Sequence, residues 1–127
     1  MNVKNFFTLA SVMNLFYGVW YFFFPENVAK IYGFGELATP LSNVFLQFLG
    51  IYCIAAAVLF WICRRAEVSL GRTAALAFLA VSGLLCFYMD IKTLMGAPGT
   101  MDYVDTVLNG LFGFAALYFI LQDRKVR

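Results

Sequence analysis

The stretch LSNVFLQFLGIYCIAAAVLFWIC, residues 41–63, decides the fold: it contains no charged side chain and is closed by Arg64 and Arg65. A helix needs about 20 such residues to cross the ~30 Å hydrocarbon core of a bilayer. Three further runs meet the same measure. The first extends from Phe6 to Phe24 and is closed by Pro25. Another begins after Arg72, covers residues 73–95, and is ended by Gly96 and Pro98. The last covers 101–121, before the charged tail from Gln122 to Arg127. What remains suffices only for short loops, so neighbouring spans are expected to be antiparallel. The expected fold class is all-α, an integral membrane four-helix bundle forming one domain over residues 1–127.

Composition points the same way. The 127 residues are 63% hydrophobic and 13% charged, with a mean hydropathy of +0.82. A soluble domain carries about 25% charged residues to cover its surface. A formal charge of +2 without a basic stripe gives no footprint for nucleic acid. Histidine is absent, which removes the commonest general base and metal ligand. Cys53, Cys63 and Cys86 lie in apolar runs without C-x-x-C spacing and read as small buried hydrophobes. No metal site or cofactor is implied. The first apolar run is followed by Phe22-Phe23-Phe24-Pro25 rather than a small-residue cleavage site, so it is expected to stay as a span.

Orientation follows from the lysines and arginines. Lys4, Arg64, Arg65, Arg72, Arg124, Lys125 and Arg127 fall on one side of the four spans. Lys30 and Lys92 fall on the other, with Glu26, Glu36, Asp90, Asp102 and Asp105. Both termini are therefore expected to be cytoplasmic. Between the first two spans, Glu26 to Tyr32 has apolar residues at helical spacing with Gly33 as a stop, which suits a short interfacial helix. Thr39 and Pro40 read as an N-cap and a first-turn proline. Gly96 to Thr100 reads as a tight outer turn. Small residues recur every third position at Ala74, Ala77, Ala80 and Gly83, and again at Gly110, Gly113 and Ala116. Such stripes let helix backbones approach in lipid, within one bundle or in a homo-oligomer.

The polar residues inside the spans carry the functional expectation. Asn14, Tyr17 and Tyr21 share a helical face, as do Asn43 and Gln47 with Gly50. Ser82, Cys86, Asp90 and Thr93 share another, and so do Asp102, Asp105 and Asn109. All lie in the outer halves of their spans, whereas Ile54 to Trp61 and Leu111 to Ile120 are almost purely apolar. A side-chain amide in hydrocarbon costs several kcal/mol without a partner, so Asn14, Gln47 and Asn109 are expected to face inward. Two readings stand beside each other: hydrogen bonds that glue helix to helix, or a polar cavity opening outward. Asp90 and Lys92 are two residues apart and point in different directions. Lys92 can snorkel to the interface. Asp90 cannot reach as far and is a candidate proton donor or cation ligand. Asp102, Asp105 and Glu26 are expected in first turns, where carboxylates favour a helix N-terminus. Asp105 shares a stripe with Asn109 and can meet Asp90 at a cavity mouth.

Leu15-Phe16-Tyr17-Gly18, Pro25 to Ala29, Tyr32-Gly33 and Phe48-Leu49-Gly50-Ile51 leading to Trp61 and Arg64-Arg65 make up a pattern. It resembles that of small four-span bacterial membrane proteins allied to the DoxX-like group. The resemblance implies a four-span fold and, for some members, a place in quinone-linked membrane oxidoreductases; it carries over no catalytic residue. Small multidrug transporters have a glutamate in the first helix, and this first span has no acid. Vitamin K reductases need a C-x-x-C.

The leading expectation is an accessory or ligand-binding bundle in the lipid bilayer. Its outward polar pocket, lined by Asn14, Tyr17, Tyr21, Asn43, Gln47 and Asn109, would hold a lipid-like or quinone-like molecule, alone, as a homo-oligomer or in a larger membrane complex. The rival is a membrane-embedded isomerase or cyclase in which Asp90 or Asp105 is the catalytic general acid. Third comes a small proton- or cation-coupled transporter.

Overall fold

The described residues form five α-helices: α1 (Val3–Phe23), α2 (Pro25–Ile31), α3 (Pro40–Cys63), α4 (Leu70–Leu94) and α5 (Thr100–Arg124). The structure, a computed structural model, describes residues 2–33, 35, 39–96 and 99–125. Glu36, Arg127 and the centre of the 96–100 turn lie outside the described residues. All helices but α2 are long and apolar enough to cross a membrane. Their 21 to 25 residues correspond to about 32–38 Å at 1.5 Å per residue.

Helices α1, α4 and α5 each run about one turn beyond the apolar stretch that announced them. The apolar run measures membrane depth, but the helix end is set by capping. Asn2 accepts a hydrogen bond from the Asn5 amide at 2.9 Å, and Ser69 accepts one from the Arg72 amide at 3.3 Å. The expected cap of α3 is present in reciprocal form. Thr39 Oγ1 accepts from the Ser42 amide at 3.1 Å, and Ser42 Oγ accepts from the Thr39 amide at 2.8 Å. Pro25 ends α1 by pushing Phe24 out of helical geometry (φ −130°, ψ 48°), then opens α2, the short helix expected here. Gly33, at φ +81°, takes the left-handed conformation that closes the stretch.

The chain divides into two compact units, Met1–Arg64 and Arg65–Arg127. In the first, α1 and α3 pair antiparallel, since contacts that climb α1 descend α3. Phe7 stacks on Phe60 with ring centroids 6.1 Å apart, and Ser11 Oγ donates to the buried Ala57 carbonyl at 2.7 Å. Further along, Gly18 meets Gly50: a Cβ on Gly50 would lie 2.7 Å from the Phe22 nitrogen and 2.8 Å from the Gly18 carbonyl oxygen. Glycine is required at this crossing because backbone lies against backbone. Helix α2 buries Val28 and Ala29.

In the second unit α4 and α5 pair antiparallel around Gly83, whose Cβ would lie 2.9 Å from the Gly113 nitrogen. The packing face of α4 is Ala75, Leu76, Leu79, Ala80 and Gly83, which corrects the expected stripe. Ala74 is exposed. A strict i+3 repeat drifts around a helix of 3.6 residues per turn, so by nine residues it has reached the opposite face. The α5 stripe of Gly110, Gly113 and Ala116 is buried as expected. The cysteines are not buried as expected: Cys53 and Cys63 are half-buried and Cys86 is exposed. A thiol is a small, weakly polar group that tolerates partial exposure as well as burial on an apolar helix.

Candidate functional site

Polar side chains gather in both units, and the two gatherings differ in chemistry. In the first unit they surround the junction of α1, α2 and α3. Phe22 lies in the last turn of α1, where carbonyls have no intrahelical partner, and Gln47 of α3 donates Nε2 to its oxygen at 3.3 Å. Trp20 donates Nε1 to the Asn27 side chain at 2.9 Å, and the Tyr21 and Tyr32 hydroxyls are 3.0 Å apart. These two bonds fasten α2 back onto α1. Tyr17 and Tyr21 belong to an aromatic ladder with Phe16, Trp20 and Tyr32, with neighbouring ring centroids 5.8 to 6.3 Å apart.

Among the described residues, three hollows border this junction. An apolar groove of about 480 Å³ runs along α1 between Val12, Leu15, Phe16, Val19, Trp20 and Phe24. A recess of about 420 Å³ shares Phe24 with the groove and adds Phe23, Pro25, Glu26, Asn27 and Gln47. A further recess of about 470 Å³ shares Glu26 with the second and adds Lys30, Gly35, Thr39, Pro40 and Asn43. Asn43 Oδ1 is buried without a hydrogen-bond partner. Of the expected ligand-binding residues, Asn43 and Gln47 thus line recesses. Tyr17 and Tyr21 stand in the aromatic ladder. Asn14 instead donates Nδ2 to the Ala10 carbonyl of its own helix at 2.9 Å, which meets the demand that had suggested a partner across the bundle. Glu26 and Lys30 are site residues that sequence reading assigns to the interface. The signal was their i, i+4 spacing on a short amphipathic helix beside Pro25.

In the second unit, Asn109 of α5 donates Nδ2 to Asp90 Oδ2 of α4 at 2.8 Å. These two expected site residues do meet, both half-buried. Asp105 and Asp102 act on Asp90 electrostatically. The Asp102 carboxylate is also committed to the start of α5, where it accepts from the Gly99 amide at 2.6 Å. Lys92 lies with Nζ 5.0 Å from the centroid of the Tyr88 ring, a cation–π contact within its own helix.

At the other end of this unit sits a pair that sequence reading missed. Arg72 Nη2 and Asp123 Oδ1 are 2.6 Å apart, with side chains only 15% and 5% exposed. Arg72 Nη1 also donates to the Ala66 carbonyl at 3.2 Å, whereas Nε and Asp123 Oδ2 are buried without hydrogen-bond partners. Both residues stand among flanking charges that read as hydrated anchors. The signal was helical phase. Asp123 continues the Gly113, Ala116, Phe119 face of α5, and Arg72 continues the face of Leu76, Leu79 and Gly83 on α4. Compared with known proteins, the chain matches no family model, no curated protein and no solved structure.

Proposed function

We propose that this is a non-catalytic, accessory membrane protein that holds a lipid-like or quinone-like amphiphile. In this reading the four long helices form one bundle in a bacterial cytoplasmic membrane, with cytoplasmic termini and the recesses toward the outside. The resemblance to the DoxX-like group implies a four-span architecture of this kind. The observation that carries the reading is continuity. The apolar groove on α1 reaches Phe24, which also borders the recess of Glu26, Asn27 and Gln47. An amphiphile needs that sequence of surfaces, an apolar track ending in polar groups at one depth. Native mass spectrometry on protein extracted gently from its own membrane tests it. A stoichiometric amphiphile retained by the chain and lost in Phe16→Ala/Trp20→Ala is expected; a bare chain under conditions that preserve its helices would refute the reading.

A second reading, an isomerase or cyclase with Asp90 as general acid, is favoured by one observation: Asn109 fixes the Asp90 carboxylate with Asp105 in electrostatic reach. It predicts turnover of a membrane-soluble substrate that Asp90→Asn abolishes. The same hydrogen bond already serves to tie α4 to α5, so the binding reading stands first.

A further inference from the structure

The recess that Lys30 and Asn43 line beside α2 has an unusual donor and acceptor balance. Glu26 and Lys30 both line it, one turn apart on α2. A glutamate four residues before a lysine ordinarily pairs with it along a helix. Among the described residues, however, the ion pair formed is Arg72–Asp123, so Glu26 and Lys30 do not neutralise each other and both line the recess as charges. Asn43 adds an acceptor, since its Oδ1 is buried without a hydrogen-bond partner. The recess therefore presents one cation to an anionic group. It also presents a carboxylate and an amide oxygen, both of which require a hydrogen-bond donor.

The apolar groove supplies the other half of the ligand; the hollow of Asn27 and Gln47 stands between the two, sharing Phe24 with the groove and Glu26 with the recess. Its lining runs from Val12 to Phe24 on α1, which is about 18 Å at 1.5 Å per residue. One leaflet of hydrocarbon is about 15 Å deep. The length suits a single acyl chain standing in one leaflet, with its head at the level of α2.

We infer that the occupant is a glycerophospholipid with a primary-amine headgroup. One acyl chain lies along α1, the phosphate meets Lys30, and the ammonium donates to Glu26 and Asn43. This rests on the amphiphile-binding reading and narrows it. A choline headgroup carries positive charge but has no N–H to give Asn43 Oδ1. A glycerol headgroup has donors but no charge to set against Glu26.

Trp20 lines the groove, and the chain has one other tryptophan, Trp61. The full chain carrying Trp61→Phe is reconstituted into phosphatidylcholine vesicles containing equal small fractions of brominated ethanolamine, choline or glycerol phospholipid, and Trp20 quenching is read. The ethanolamine lipid is expected to be enriched about threefold over the other two, the factor of a partly hydrated charge contact. Glu26→Gln should erase the preference while leaving Trp20 emission in unbrominated vesicles unchanged, which reports an intact fold. Equal quenching by all three lipids, or a preference for glycerol heads, would overturn the inference. Either result leaves the broader reading to the mass measurement. A bare chain in that measurement removes the broader reading itself, so the two failures are distinct.

Discussion

Replacing Gly50 with alanine should loosen the α1–α3 pair by an amount that the geometry fixes in advance. The new Cβ would lie 2.7 Å from the Phe22 nitrogen and 2.8 Å from the Gly18 carbonyl oxygen, against 3.4 Å for ordinary contact. Both obstacles are backbone of a facing helix, so no rotamer change relieves them. The helices must part by roughly 0.7 Å, enough to forfeit about a quarter to a half of the dispersion attraction across the contact. Overpacking of this kind costs about 1–3 kcal/mol. Gly71→Ala is the internal control: a Cβ there meets nothing within 4 Å, and alanine in place of glycine in a helix is neutral or stabilising by up to about 1 kcal/mol. Gly110→Ala should fall between them, because its nearest obstacle is the Phe87 ring at 3.1 Å, which can swing away. Reversible unfolding in mixed micelles, titrated with sodium dodecyl sulfate and followed by circular dichroism, ranks the three. Gly18→Ala with Gly50→Ala should cost less than the sum of the singles, since both force the same separation. If Gly50→Ala unfolds together with Gly71→Ala, the backbone crossing is not what holds α1 to α3.

Two more predictions concern the second unit. Asp123→Ala leaves Arg72 charged and nearly buried, and should destabilise by about 3–5 kcal/mol in the same titration. Joint replacement, Arg72→Met with Asp123→Leu, should recover most of the loss, because a buried pair is worth little more than apolar packing of the same volume. Asn109→Leu takes the donor from Asp90 and should cost about 1–3 kcal/mol. Asp90→Asn, which keeps an acceptor opposite Asn109, should cost under about 1 kcal/mol; equal losses would mean that the 2.8 Å bond is not what ties α4 to α5.

What could be read from the sequence was whatever lipid demands of composition. Residues 41–63 have no alternative to a helix through hydrocarbon, because unpaired backbone groups cannot be solvated there. Caps were legible too, since Thr39 and Pro25 do chemically specific things to the neighbouring backbone. The demand that a buried amide find a partner was legible, but the partner was not. Asn109 meets Asp90 across a helix pair, whereas Asn14 turns back on Ala10, and both answers satisfy the same energetic condition. Gly18 and Gly50 were visible as small residues on their helices, but a crossing is a property of two helices and no single spacing contains it.

The flanking charges failed for a more instructive reason. A lysine or arginine at the end of a span serves orientation by being hydrated, and a sum of charges treats every such residue alike. Arg72 and Asp123 belong to that set by position and leave it by phase, since each continues the packing face of its helix by one more turn. Carrying the 3.6-residue face past the last apolar residue would have set them opposite each other at the open end of an antiparallel pair. The same extension applied to α2 separates Val28 and Ala29, which are buried, from Glu26 and Lys30, which are exposed. Depth in the bilayer is read from composition and partnership from phase. Both candidate features of this chain, the recess beside α2 and the Arg72–Asp123 pair, lie where the apolar composition stops but the helical phase continues.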